Sequence, residues 1–345
     1  MKCPRCGLPA TIPDIRFGNQ CSYCDQHDAS EKQYPISEEE YRKCIATLAT
    51  NKCLVGLSGG VDSSYLLWLL VQEGIKPLVV TVDGGWDTKI AQKNVKKLIF
   101  KFGLEHIVVK LDYDVVNDLQ CSFIRAGVID IDCPDDIAIK KSLYDIAKKR
   151  GIKYIVSGSS FRTEGQQPRE WSFIDGRYLL SVHKKYGRLP LGDFPVITVP
   201  QQALYHASGI KILKPLNYIH YIPMLAKGVL EKLGWKDYGG KHYENIYTKF
   251  VASFWCYKKF DADKRAIEFA ALVRDGQMTL QEMKLRLSKP PYEWELEEVD
   301  KLTQKLGMEY SEFLGCLYSP NKTFHDFKND LWMRTLGRKI VKARL

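Results

Sequence analysis

The sequence predicts an α/β protein: a doubly wound parallel sheet, preceded by a small cysteine-rich segment and followed by a mainly helical C-terminal region. Three observations carry this. Short β-branched apolar runs alternate with helical stretches between residues 53 and 157, two Cys-x-x-Cys pairs crowd the first 24 residues, and beyond residue 223 the periodicity is helical. Strands and helices alternating at these lengths imply βαβ units, right-handed crossovers and helices on both faces of the sheet. The expected division of the chain is 1–33, 34–222 and 223–345.

A chain of 345 residues with 45% hydrophobic content buries a substantial core. Its opening, MKCPRCGLPA, lacks the apolar stretch of a secretory signal. No apolar run approaches the roughly eighteen residues of a membrane span, so the expected location is cytoplasmic. The formal charge of +10 suits a polyanionic ligand, either nucleic acid or a smaller phosphate-bearing molecule. The cations are nevertheless dispersed, with no basic block and no aromatic RNA-binding signature, and most are expected on solvated surface.

In chain order, Ser37 opens a helix to residue 49, with Glu40 three positions on as the second half of a capping box. The apolar runs 53–57, 77–82, 106–110 and 153–157 read as buried strands. Helices are expected over 61–73, 88–102 and 134–150, each stopped by a glycine, at 74, 103 and 151. After residue 166 the pattern loosens into a Tyr-, Gly- and Pro-rich region. From 223 it is helical to the end, including 261–276 and 279–288, the latter with Thr279 and Glu282 as a capping box.

The stretch LVGLSGGVDSSYLLWLL, residues 54–70, sets a glycine pair, an aspartate and serines between the first strand and its helix. Ligands of parallel sheets bind at the carboxyl ends of the strands, and this first turn commonly holds phosphate. Gly59 and Gly60 let the backbone turn its N–H groups inward, through Val61, while Ser58, Ser63 and Ser64 add hydroxyls at the positive end of the helix. A Walker loop would place lysine next; Asp62 stands there, and a carboxylate beside phosphate calls for a bridging cation such as Mg²⁺.

SGGVDSS resembles the PP-loop of the ATP pyrophosphatases, which split ATP into AMP and pyrophosphate while activating a substrate oxygen. The resemblance implies an adenine nucleotide alpha hydrolase-like sheet and ATP with Mg²⁺. It also implies a nucleotide site that takes in Asp83 in TVDGGWDT and Gly158 at the end of the fourth strand run.

Cys3 and Cys6, with Cys21 and Cys24, form two Cys-x-x-Cys pairs separated by fourteen residues. Four thiolates at this spacing read as a zinc ribbon, a structural Zn²⁺ site without an open position. His27 is expected as a solvated histidine rather than a ligand.

A wider resemblance is to the N-acetyl sugar amidotransferases, bacterial PP-loop proteins acting on nucleotide sugars for surface polysaccharide, lipopolysaccharide and O-antigen synthesis. It rests on the cysteine ribbon, YIVSGSSFRTEG at 154–165, WKDYGGKHYENIYTKF from Trp235, KKFDADKR from Lys258, GQMTLQEM and KPPY, in that order. It implies conversion of an N-acetyl to an acetamidino group by adenylation and attack of ammonia. Asp62, Ser58, Arg162 and Glu164 are then the candidate catalytic residues, and Arg162, Thr163, Glu164, Lys241, His242, Lys259 and Arg265 the candidate substrate contacts. Arg162, Thr163 and Glu164 follow a strand end and should face the same crevice as the loop. Lys258, Lys259, Lys264 and Arg265 suit a diphosphate, or else the solvated face of a helix.

A glutaminase needs an activated cysteine, and Cys121, Cys133 and Cys256 lack a glycine-framed nucleophile turn. The expected ammonia source is therefore a separate glutaminase partner, of the HisH/HisF-like kind with which family members are paired, or free ammonia. The alternative function is tRNA thiolation, which shares adenylation and cysteine ribbons but needs a sulfur-carrying cysteine near ATP. There Cys133, just before a helix start, would have a lowered pKa, although a buried apolar role suits it better.

Overall fold

The computed structural model describes residues 1–336. The cysteine-rich segment leads into α1 (Ser22–Gln33) and α2 (Glu38–Ala49). The sheet unit follows as β1 (Cys53–Gly56), α3 (Val61–Gln72), β2 (Leu78–Asp83), α4 (Lys89–Phe102), β3 (His106–Lys110), α5 (Tyr113–Ala126), α6 (Cys133–Lys149) and β4 (Tyr154–Val156). Then come α7 (Phe161–Glu164), α8 (Gly176–Tyr186), α9 (Val199–Ala207), β5 (Lys211–Leu213) and α10 (Pro223–Lys232). The last part holds α11 (Ile246–Phe250), a π-helical stretch Val251–Trp255 running straight into α12 (Cys256–Phe260), α13 (Arg265–Arg274), α14 (Leu280–Leu287), α15 (Leu296–Leu306) and α16 (Tyr310–Tyr318). Residues 337–345, expected to continue the helical region, lie outside the described residues.

All five strands are parallel, in the order β3-β2-β1-β4-β5. The period-two alternation of strand side chains feeds two cores. Val55, Val79 and Val156 join α2, α3, α4 and α10 on one face, whereas Leu54, Leu78, Val80 and Ile155 join α5, α6 and the C-terminal helices on the other. This is the doubly wound arrangement expected, and its strand order reverses direction between β1 and β4.

The four expected strands are present within a residue or two. β5 was not expected, because its three residues Lys-Ile-Leu carry no alternation and form an exposed edge. The helix α5 was also missed; Asp112 caps it by accepting from the backbone N–H groups of Asp114 and Val115. Each expected capping box forms only in half. Ser37 accepts from the Glu40 N–H at 3.3 Å, but Glu40 turns to Lys43 at 2.8 Å. Thr279 accepts from Glu282 at 3.1 Å while the Glu282 carboxylate pairs with Arg286 at 2.6 Å. The helix over 261–276 is shorter than expected, because Asp261 takes a left-handed conformation that ends α12.

Candidate active site

The loop after β1 lies where the strand order reverses, the position at which open α/β sheets bind ligands. Two glycines are dictated by contact. Gly59 has φ of 83°, and a Cβ there would lie 2.5 Å from the Ala91 carbonyl oxygen. A Cβ on Gly158 would lie 2.8 Å from the Asp62 carbonyl oxygen, so the end of β4 meets the phosphate loop backbone to backbone. Ser58 Oγ accepts from the Gly60 N–H at 3.2 Å and lies 3.3 Å from Ser63 Oγ. Ser64 is fully buried, and its hydroxyl has no partner among the described residues.

A distant segment, residues 235–244, completes this loop. Trp235 Nε1 donates to the Gly59 carbonyl at 2.9 Å, and Asn94 brackets the Lys236 backbone with bonds of 2.8 and 2.9 Å. Tyr238 accepts the Val61 N–H at 3.1 Å, and Ser58 Oγ lies 3.5 Å from Glu244 Oε1. Tyr221 donates its hydroxyl to Asp62 Oδ1. Lys241 Nζ reaches the Thr163 carbonyl at 3.5 Å. Burial alone would lower the Lys241 ammonium, but the carboxylates of Glu268, Glu164, Asp62 and Glu244 outweigh it and hold the pKa above its ordinary value. Burial pushes Glu164 and Glu244 each up to about 7. The second oxygen of Glu244 is buried without a partner among the described residues. His242 Nε2 stands 3.8 Å from Glu268 Oε1, in the same cluster.

At the end of β2, Asp83 accepts from the Gly85 N–H at 2.9 Å and from the Tyr113 hydroxyl at 2.7 Å. Beside it, burial raises Asp87 to about 6 even though Asn245 donates to it. The arrangement offers backbone and hydroxyl donors for phosphate, one carboxylate for a bridging cation, and the half-buried Lys241 to neutralise charge. These residues fit Mg²⁺ held with a polyphosphate.

Ser58, Gly59, Gly60, Val61, Asp62, Ser63 and Ser64 form the loop, Gly158 packs against it, and Glu164 and Lys241 lie in the adjoining charged cluster, which Thr163 joins through its carbonyl to Lys241 and His242 through Glu268. Three expected contacts the structure places elsewhere. Arg162 is 2% exposed, and its guanidinium is committed to Glu31 at 2.7 Å, Asp275 at 3.0 Å and the Tyr34 carbonyl at 3.1 Å. Lys259 donates to the carbonyls of Cys316, Leu317 and Ser319, closing the end of α16. Arg265 forks onto Asp263, at 3.0 and 2.7 Å, and donates to the Lys289 carbonyl. Each is an internal tie: buried Arg162 and half-buried Lys259 and Arg265 take acceptors that their own chain supplies.

Tyr221, Trp235, Tyr238, Glu244 and Glu268 were not singled out from sequence. Three of them lie within WKDYGGKHYENIYTKF, where only Lys241 and His242 were chosen, since cations beside glycines are the usual phosphate signal. Tyrosine hydroxyls and a carboxylate give no such signal until the chain brings them to the loop.

In the ribbon, sulfur separations are 3.8 Å for Cys3 to Cys24, 3.6 Å for Cys6 to Cys21 and 3.6 Å for Cys21 to Cys24. Bonds of about 2.3 Å at tetrahedral angles demand S···S distances of about 3.8 Å, so the buried quartet fits Zn²⁺. His27 is not solvated: it is 4% exposed, packs edge-on against Phe161 and is pushed down by burial to about 4. Cys133 lies at the start of α6, yet burial raises its thiol well above the ordinary value instead of the helix lowering it. Burial also raises Cys121 to about 12 and Cys256 to about 11.

The sheet order sets the SGGVDSS loop at the reversal where open α/β sheets bind ligands, with a separate four-cysteine cluster ahead of the sheet. Residues 244–340 match the family described as LPS biosynthesis protein WbpG-like, C-terminal domain. The chain is also similar to tRNA-specific 2-thiouridylase MnmA 2 of Fusobacterium nucleatum subsp. nucleatum, 31% identical over 140 residues, which cover 38% of this chain and 39% of that protein. It therefore spans about two fifths of the length of that relative. Similar solved structures include NMN synthetase from Francisella tularensis, with 12% identity and a TM-score of 0.35, covering 83% of this chain and 98% of that one. A predicted subunit of tRNA methyltransferase from Methanocaldococcus jannaschii gives 16% identity and a TM-score of 0.30, over 52% and 74%. Superpositions at these scores add nothing to the sheet order and loop. Among the described residues, no helix is long and apolar enough to cross a membrane.

Proposed function

We propose that this protein is an ATP-dependent amidotransferase that converts an N-acetyl group of a nucleotide-activated sugar into an acetamidino group during surface polysaccharide synthesis. The observation that carries the reading is a phosphate loop with Asp62 and a carboxylate-ringed Lys241 in a chain whose C-terminal part is WbpG-like.

An acetamide carbon is a poor electrophile because nitrogen donates into the carbonyl and the oxygen cannot leave. Attack of the amide oxygen on the α-phosphorus of ATP expels pyrophosphate and leaves an O-adenylyl imidate. Ammonia then adds at carbon, and AMP departs with the original oxygen. The loop's open N–H groups with the Ser58 and Ser63 hydroxyls would hold phosphate oxygens, Asp62 would hold the cation, and Lys241 would offset the charge that builds on the leaving group. Bound Mg²⁺ would neutralise the polyphosphate and polarise it toward attack. Glu164 and Glu244, with pKa values raised to about 7, are suited to move a proton as ammonia adds. Ammonia is supplied by a separate glutaminase of the HisH/HisF-like kind or taken up free, a reading supported by the burial of Cys121, Cys133 and Cys256, whose thiols burial pushes up.

A second reading, tRNA thiolation, is favoured by the similarity to the 2-thiouridylase. It requires an accessible sulfur carrier, and the burial of those three thiols weighs against it. The test is mass spectrometry of N-acetylated nucleotide sugars incubated with the protein, ATP, Mg²⁺ and ammonium, with AMP followed in parallel. A sugar product lighter by the difference between oxygen and NH, formed only with ATP, is expected. AMP formed only with tRNA and a sulfur donor would replace this reading with the second.

A further inference from the structure

The buried Arg162 guanidinium makes three polar contacts among the described residues, none of them in the phosphate loop, yet its partners lead there. On one side it holds α1 of the cysteine ribbon, through Glu31 at 2.7 Å and the Tyr34 carbonyl at 3.1 Å. On the other it donates to Asp275 Oδ1 at 3.0 Å. The second Asp275 oxygen accepts from Gln277 Nε2 at 2.7 Å, and the same amide donates to the Tyr221 carbonyl at 2.9 Å. The hydroxyl of Tyr221 in turn holds Asp62 Oδ1. Every contact in this line is polar, and both ends of the Arg162 ion pair with Asp275 are largely withdrawn from water, at 3% and 10% exposure.

We infer that Arg162 is a positioning residue: the bonded line Glu31–Arg162–Asp275–Gln277–Tyr221–Asp62 ties the four-cysteine ribbon to the cation-holding carboxylate of the phosphate loop and fixes the direction in which that carboxylate presents its free oxygen. This rests on the ATP site proposed above. A carboxylate held by one hydroxyl donor keeps one oxygen committed and the other aimed, which lowers the cost of ordering it when a cation binds. The tether therefore acts on cation-dependent binding. A purely structural role would weaken nucleotide binding with or without the cation.

Arg162→Lys keeps the charge but loses the fork that reaches three acceptors at once. This variant, Tyr221→Phe and the double variant are made in the full zinc-loaded chain. Affinity for α,β-methylene ATP is measured by calorimetry with Mg²⁺ and with EDTA. Each single variant is expected to lose about tenfold in the presence of Mg²⁺ and little in EDTA, and the double variant to be no weaker than the weaker single one. Gln277→Leu, at the half-buried middle of the line, supplies the same reading should Arg162→Lys fold poorly. Losses that simply add, or that are equal with and without Mg²⁺, would overturn the tether while leaving the ATP site standing. A wild-type protein that binds no nucleotide under either condition would overturn both.

Discussion

Glu244 shows how one side chain reports on its site. With its pKa raised by burial to about 7 from an ordinary 4.5, the folded protein retains a proton that the unfolded chain has released between those values. Stability from this group therefore falls as pH rises through that window and stays lowered above it. Glu244→Gln is expected to melt above the wild type at pH 8, by roughly 1–3 kcal/mol of stability, and to converge with it near pH 4.5 in paired thermal melts. Asp62→Ala carries the complementary expectation: pyrophosphate release is abolished while the circular dichroism spectrum is unchanged. A variant releasing pyrophosphate at the normal rate would remove Asp62 from the chemistry. Asp62 was legible in the sequence because its neighbours repeat a local pattern. Glu244 was not, because its role depends on 186 residues of chain separation from Ser58 closing to 3.5 Å.

At the scale of elements, the strands and the helices flanking the phosphate loop could be read directly. β-branched runs and terminal glycines are local signals, and Gly74, Gly103 and Gly151 do take left-handed conformations. What escaped was β5, too short and exposed to alternate, and the capping boxes, whose glutamates were drawn to Lys43 and Arg286. The cations at 259 and 265 are tied within the chain for a related reason. Lys259 and Arg265 look like phosphate ligands in sequence, but the end of α16 and Asp263 claim them first. The ribbon is the element with the sharpest expectation: about one Zn²⁺ per chain by elemental analysis, lost in Cys21→Ser, with loosening of the 158–165 turn that Arg162 pins to α1. Iron in place of zinc would point to a different chemistry for the quartet.

For the whole molecule, a parallel sheet with helices on both faces followed from the alternation of strands and helices and from the rules of right-handed crossover, whereas the strand order with β5 at its edge did not. The completed phosphate loop did not, because Trp235, Tyr238 and Glu244 come to it from beyond the last strand. That placement bears on how the chain is made. The residues of 54–64 leave the ribosome long before those of 235–244, and joining them closes a very long loop against chain entropy. A nascent chain thus carries the SGGVDSS loop without the residues that finish it. Interrupted synthesis would yield fragments whose loop lacks the bonds from Trp235 and Tyr238.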